Sequence, residues 1–267
     1  MIKAIFFDID GTLFSHRLWQ VPSSAAKALH ILKGRGIRLF IASGRAAGLF
    51  DTMREHLENF PFDGYVLANG QVCADENLQP FFEQPLPAEA LETLIPWLAR
   101  REDIVCTFSE RDRVYRNRPV ADSVLLKLFP NGRYAKLEIL DPVRSLSHPT
   151  YQISPFIPPE MDAEFLAHAP GLKVVRWTDV CADVIPADGG KPRGMQRMLD
   201  RYGILREESM AFGDGGNDIE MLHYAGIGVA MGNASQEVKD AADYTTADID
   251  DDGVQKALEH FGLLQAL

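Results

Sequence analysis

The chain is short of basic residues, of cysteine and of long apolar runs, and each shortage excludes something. Lysine and arginine number 27 against 38 aspartates and glutamates, a formal net charge of −11. That balance argues against nucleic acid or an anionic membrane as a partner, because both are held through surplus cationic charge. An anionic small molecule stays open, since a local cluster of cations suffices for it. The three cysteines, Cys73, Cys106 and Cys181, are scattered with neither paired nor metal-type spacing. They are expected as reduced, mostly buried thiols of a cytoplasmic protein. No stretch of about 18 apolar residues occurs, so no membrane span is expected. One lysine and then two aspartates within the first apolar run do not fit a secretory signal. Repeats and low-complexity tracts are missing too. The 267 residues give room for a core plus a second lobe. Oligomeric state is not legible.

Residues 4–14, AIFFDIDGTLF, are an apolar run that stops on Asp8, Asp10 and Gly11. Such a run suits a buried strand of a parallel sheet, and ligands sit outside the carboxyl ends of such strands. Two carboxylates there repel unless a cation or proton lies between them, which points to a metal-assisted reaction site. A plain Asp-Gly turn is the bland alternative. Three further segments deepen the pattern. IRLFIASGR is a second buried-type strand, ending in Ser43, Gly44 and Arg45. GGKPRG places Lys191 after two glycines, at the mouth of a helix whose first turn tolerates Pro192. SMAFGDGGNDIEML reads as a strand ending at Asp214, a glycine-rich turn and a helix carrying Asn217 and Asp218.

DIDGT (8–12), ASGR (42–45), the lysine of GGKPRG (189–194) and GDGGND (213–218), in that order, resemble the four motifs of the haloacid dehalogenase superfamily of phosphohydrolases. The combination is similar to the Cof-type branch, with its large C2B-type cap between the second and third motifs. Two departures are mild: Ser43 stands where many members have Thr, and Pro-Arg-Gly follows Lys191 where a glycine is usual. The resemblance implies an α/β fold: a doubly wound, mostly parallel Rossmann-like core at 1–82 and 186–267, with an inserted α+β cap at 83–185. It implies a Mg²⁺-dependent phosphatase acting through an aspartyl-phosphate.

Phosphoryl transfer needs an in-line nucleophile and positive charge around the equatorial oxygens. Asp8 is the nucleophile candidate. Asp10 points the same way if the backbone stays extended, and could then act as general acid and base; the resemblance implies that division of labour. Gly11 and the neighbouring N–H groups suit close approach of a phosphate. Thr12 is placed among the phosphate-facing groups, either helping to hold this loop together or as a turn hydroxyl. Ser43 and Gly44 suit a phosphate oxygen, with a helix N-cap as the alternative for Ser43. Arg45 touches phosphate or substrate, or pairs with a nearby acid. Lys191 is a compact cation for phosphate and Asp8, with Arg193 as a lesser alternative. Asp214, Asp8 and the Asp10 carbonyl would complete an oxygen site suited to Mg²⁺. Asp218 either holds a metal-bound water or orients Lys191, and Asn217 offers an amide donor.

The rest is coarser. Strands are expected at 2–8 and at IRLFIA, helices at 22–35 and through about 58, and a third strand running into Asn69-Gly70. By the resemblance that pair lines the site, and it also reads as a hairpin turn, the two readings being compatible. In the cap segment, Trp97 and Trp177 are expected to pack, His148, His168 and Cys181 are too dispersed for a second metal, and Arg111, Arg113, Arg116 and Arg118 are a cluster that either faces a ligand or is solvated. The acids Asp248, Asp250, Asp251 and Asp252 are expected to cap the closing helix. Small phosphorylated metabolites, sugar phosphates first and flavin or pyridoxal phosphates next, are the implied substrates. A phosphomutase or phosphotransferase using the same nucleophile, and a non-catalytic binding protein on the same fold, are the alternatives.

Overall fold

The computed structural model of the protein describes residues 1–128 and 136–264, which fall into two compact units. The first holds Met1–Arg45, Phe50–Glu83 and the chain from Gly189 onward; the second holds Ala46–Leu49 and Gln84–Asp188. In chain order the strands are β1 (Ala4–Phe7), β2 (Arg38–Ala42), β3 (Gly64–Leu67), β4 (Val72–Asp75), β5 (Pro80–Glu83), β6 (Cys106–Ser109), β7 (Val114–Arg116), β8 (Glu138–Ile139), β9 (Gln152–Pro155), β10 (Leu172–Arg176), β11 (Ala182–Pro186), β12 (Ser209–Gly213), β13 (Ile227–Ala230) and β14 (Tyr244–Thr245).

The first unit is built on a sheet of order β14-β13-β12-β1-β2-β3-β4-β5, parallel from β14 to β3, with β4 and β5 antiparallel at one edge. The chain winds outward from β1 in both directions, so β1 lies between β12 and β2. All four residues of β1 are buried because both faces of the sheet are covered. Phe6, Phe40 and Val66 share one face with Met195, Met198 and Leu199 of helix Lys191–Tyr202 and with Met221 and Leu222 of helix Ile219–Tyr224. Alternation sends Phe7 and Ile41 to the other face. Phe6 stacks on Phe40 at 4.8 Å and Phe7 on Phe212 at 5.1 Å, ring pairs worth about 0.5–1.5 kcal/mol each beyond their burial. Helix Lys191–Tyr202 has Pro192 in its first turn and ends on Gly203 at φ 62°. Proline inside the start and glycine past the end set its bounds, and they put Lys191 at its first position.

The second unit has a sheet of order β10-β11-β9-β6-β7-β8, antiparallel except for β7 with β8. Helix Ala88–Leu98 buries Ala90, Leu91, Leu94, Ile95 and Leu98, a 3–4 spacing that packs on Phe108, Tyr115 and Ile153. The three cysteines are buried free thiols. Among the described residues no helix is long and apolar enough to cross a membrane.

Several expectations are corrected here. The core was expected to resume at 186, but β11 pairs with β10 through Pro186, so Pro186–Asp188 stay with the second unit. Ala46–Leu49 also group there, with Gly48 against the Asp112–Arg113 backbone. Trp97 packs on Phe165 and stacks on His168, whereas Trp177 is exposed beyond the end of β10. The arginine cluster disperses: Arg113 pairs with Glu138, Arg116 lies over the Phe156 ring, and Arg118 donates to the Leu98 and Ile104 carbonyls. Of the acid run, Asp248 caps only the short turn Ile249–Asp251, and Asp250 instead accepts from Ser15 and Arg17. Residues 265–267 of the expected closing helix lie outside the described residues.

Candidate active site

Three adjacent parallel strands, β12, β1 and β2, deliver Asp214, Asp8 and Ser43 just past their carboxyl ends. The Asp8 N–H still donates to the Phe212 carbonyl at 3.0 Å, which fixes the height of Asp8 beside Asp214. Lys191 meets this edge from the start of its helix. Its Nζ donates to Asp8 Oδ1 at 2.6 Å and to Asp218 Oδ1 at 2.5 Å, with the lysine side chain fully buried. Asp218 is fixed from its other side, Oδ2 accepting from the N–H groups of Asp214 at 3.0 Å and Gly215 at 2.9 Å.

Strand alternation fails for Asp10. The strand stops at Phe7, and Leu13 and Phe14 both donate to the Ile9 carbonyl, with Gly11 at φ 81°. This turn sends the Asp10 carboxylate to Arg45, whose Nε and Nη2 grip its two oxygens at 2.7 and 2.6 Å. His16 Nε2 lies 3.2 Å from Asp10 Oδ1. Of the alternatives for Arg45, pairing with an acid is the one observed.

Thr12, expected among the phosphate-facing groups, is fully buried, and its hydroxyl donates to Asp214 Oδ1 at 2.7 Å. Ser43 Oγ accepts from the Arg45 N–H at 3.2 Å, a local turn rather than a helix cap. Gly44 lies between these two. Asn217 donates to Asn69 Oδ1 at 3.4 Å, while Ala68, Asn69 and Gly70 take positive φ. β3 and β4 are antiparallel across that pair, as the hairpin reading expects, and Asn69 lies beside Asn217. Arg193 sits over Phe82 and does not share the Lys191 position.

One contributor escaped sequence reasoning. Asn233 Nδ2 donates to the Gly11 carbonyl at 2.9 Å and to Asp214 Oδ2 at 3.3 Å. Its available signal was the Gly-Asn pair closing the apolar run of β13, the next strand in the parallel array.

Asp8, Asp214 and Asp218 each offer a carboxylate oxygen within 4.8 Å of the others. Asp10, through its side chain, is not part of this group. Burial first, then the charges of Asp218 and Asp10, push the Asp8 carboxyl up to about 7 against the pull of Lys191. Burial and the charges of Asp8 and Asp218 push Asp214 up to about 8. Burial opposes the Lys191 charge, but Asp218 and Asp8 outweigh it and hold the ammonium above its usual range. Burial would likewise raise Asp10, yet the Arg45 charge and the hydrogen bonds from His16 and Arg45 keep it well below the usual carboxylate range. Three clustered carboxylates against one ammonium leave the site short of positive charge, and hard oxygen donors of that kind fit a divalent cation.

A doubly wound sheet with this carboxylate and lysine edge is the frame of a phosphoryl-transfer hydrolase, and the comparisons agree. The family model for haloacid dehalogenase-like hydrolases matches residues 5–258. YkrA of Bacillus subtilis (strain 168), named as a phosphatase, is 34% identical over 263 residues, covering 98% of this chain and 99% of its own. The HAD subclass IIB sugar phosphatase BT4131 is 35% identical with a TM-score of 0.89, covering 98% and 99% of the two chains. BT1666 from Bacteroides thetaiotaomicron is 32% identical with a TM-score of 0.88, covering 98% and 96%. The chain belongs to the haloacid dehalogenase-like hydrolases. Within them it is a Cof-type phosphatase.

Gly11 gives the site a sharp test. A Cβ there would lie 2.2 Å from Asp214 Oδ2, on a backbone at φ 81°. Gly11→Ala must therefore move Asp214. A displacement of about 1 Å near the chemistry costs about 100-fold in rate, the expected fall in kcat/KM. The strained backbone costs about 1–3 kcal/mol besides. Steady-state kinetics and a thermal melt of this variant check both.

Proposed function

We propose that this phosphatase acts through an aspartyl-phosphate on Asp8, uses Mg²⁺, and takes small phosphorylated metabolites, sugar phosphates first. The observation that carries the reading is the meeting of Asp8, Lys191, Asp214 and Asp218 at one sheet edge, beside an Asp10 held by Arg45. The sugar phosphatase BT4131 supports the substrate class. The three free thiols support a reducing, cytoplasmic setting.

An Asp8 oxygen attacks phosphorus, and the bond to the ester oxygen breaks as Asp10 gives its proton to the leaving alcohol. In the second half Asp10 takes a proton from water, the water oxygen attacks phosphorus, and the bond to Asp8 breaks to release inorganic phosphate. Lys191 keeps Asp8 placed and neutralises charge on the transferring group. Ser43, Gly44 and Asn217 offer donors for the phosphate oxygens, whereas the Gly11 N–H is taken by the Phe14 carbonyl at 3.1 Å; Thr12 and Asn233 hold Asp214. Asp8, Asp214 and Asp218, with the Asp10 carbonyl, would hold the cation, which supplies charge neutralisation when bound. Asp10 needs a proton for the first half, although Arg45 and His16 hold it as a carboxylate without substrate. A phosphate dianion arriving beside it adds like charge and favours protonation.

Phosphate release from a sugar phosphate panel tests the reading: EDTA is expected to reduce it to background and Mg²⁺ to restore it. Stability gives a second handle. In the metal-free protein Asp8 and Asp214 are raised to about 7 and about 8. Between those values and the unfolded carboxylate value of about 4, the native state holds protons that the unfolded chain has lost. Metal-free stability is therefore greatest below about pH 4 for these two groups and falls as pH rises through about 8. A cation replaces the lost protons, so Mg²⁺ should raise the melting midpoint more at pH 8 than at pH 6. Melts in EDTA and in Mg²⁺ at both pH values check this; equal shifts would argue against a cation on these carboxylates.

A further inference from the structure

We propose that His16 contacts the leaving group and makes the site favour phosphates whose ester carbon adjoins a hydroxyl-bearing carbon. The inference rests on Asp10 being the proton donor assigned above. A leaving oxygen that takes the Asp10 proton must come within about 2.7 Å of that carboxylate. His16 Nε2 is 3.2 Å from Asp10 Oδ1, so a leaving oxygen bonded to Oδ1 lies within about 6 Å of Nε2. The two side chains are 51% and 34% exposed, so both are open to an incoming molecule.

The ring is held in place. Phe14, 1% exposed, meets His16 edge-on at 5.5 Å and Trp19 at 5.2 Å, and Trp19 meets His56 at 5.6 Å. The loop closes on itself through Ser15 N–H to the Gln20 carbonyl at 3.0 Å and Trp19 N–H to the Ser15 carbonyl at 2.7 Å. It is tied down at Asp250, which accepts from Ser15 Oγ at 2.6 Å and Arg17 Nε at 2.5 Å. Trp19 holds φ 56°, a conformation that a bulky residue adopts only when its surroundings demand it. A fixed, half-exposed imidazole beside the proton donor is suited to a hydroxyl one carbon removed from the ester. With Nε2 directed at Asp10, the other ring nitrogen is an acceptor in the neutral ring and a donor in the protonated one, so a hydroxyl can meet the ring in either state.

The experiment compares glycerol 3-phosphate with propyl phosphate, which lacks both hydroxyls, in wild type, His16→Ala and His16→Gln with Mg²⁺. Wild type should prefer glycerol 3-phosphate. His16→Ala should lose about fivefold to tenfold more in kcat/KM on it than on propyl phosphate, the extra loss mostly through KM. His16→Gln, which keeps a donor and an acceptor, should recover part of the preference. Equal losses on both substrates would reduce His16 to a positioning residue for Asp10 and overturn the proposal. A wild type without the preference, or an alanine variant that keeps it, would overturn it too. Asp8→Asn runs alongside: turnover surviving there would show that the site assignment itself is wrong, and the inference would fall with it.

Discussion

Replacing Asp8 with Asn is expected to cut phosphate release by at least about 10⁴-fold, the scale on which loss of a covalent nucleophile is felt. The substitution keeps the shape and an oxygen able to accept from Lys191, which now lies 2.6 Å from Asp8 Oδ1. It removes the anionic oxygen that would attack phosphorus. The fold should tolerate it, because burial already disfavours the Asp8 anion and pushes its carboxyl up to about 7. The melting midpoint in EDTA should therefore move by no more than about 4 °C, the equivalent of about 1 kcal/mol at this size. Phosphate release assayed with a thermal melt separates chemistry from folding. An Asn variant that keeps more than a hundredth of the activity would rule out Asp8 as nucleophile.

The elements around this aspartate differ in how far the sequence disclosed them. Strands β1, β2 and β12 were legible because burial on both faces makes each a continuous apolar run, and their polar ends then mark the sheet edge. Lys191 was legible because Gly190 and Pro192 mark a helix start. The pairing of charges was not. Lys191 takes Asp8 and Asp218 while Arg45 takes Asp10, a division set by the turn at Ile9–Phe14 that ends strand alternation after Phe7. Loop residues escape for the same reason. His16 and Asn233 lie on segments without a period, and only three-dimensional closure brings them to Asp10 and Asp214. Asp250 shows the converse error. A run of acids before a helix suggests capping, but Ser15 and Arg17, over 230 positions away in sequence, recruit it instead.

Lys191→Met should be the change most costly to stability, with a large loss of activity besides. The side chain is fully buried, and its ammonium is the cation shared by Asp8 and Asp218. Methionine matches the stem and leaves those carboxylates beside Asp214 without their partner. Breaking a buried pair from one side costs about 3–5 kcal/mol, because a charge is left in a medium that solvates it poorly. At about 2–4 °C per kcal/mol, the midpoint in EDTA should fall by roughly 10 °C at pH 8. The carboxylates can recover by taking up protons, so the deficit should shrink toward pH 5, and Mg²⁺ should narrow it at pH 8 by supplying the missing charge. Activity should not return with it. A cation on Asp8, Asp214 and Asp218 is not an ammonium aimed at the transferring phosphate, and losing one such preorganised group costs about 10²–10³-fold. Melts across pH with and without Mg²⁺, set beside kcat, check both halves. A destabilisation independent of pH would mean that lost packing, not unpaired charge, is the cause. Activity restored by Mg²⁺ would reduce Lys191 to a structural counter-charge.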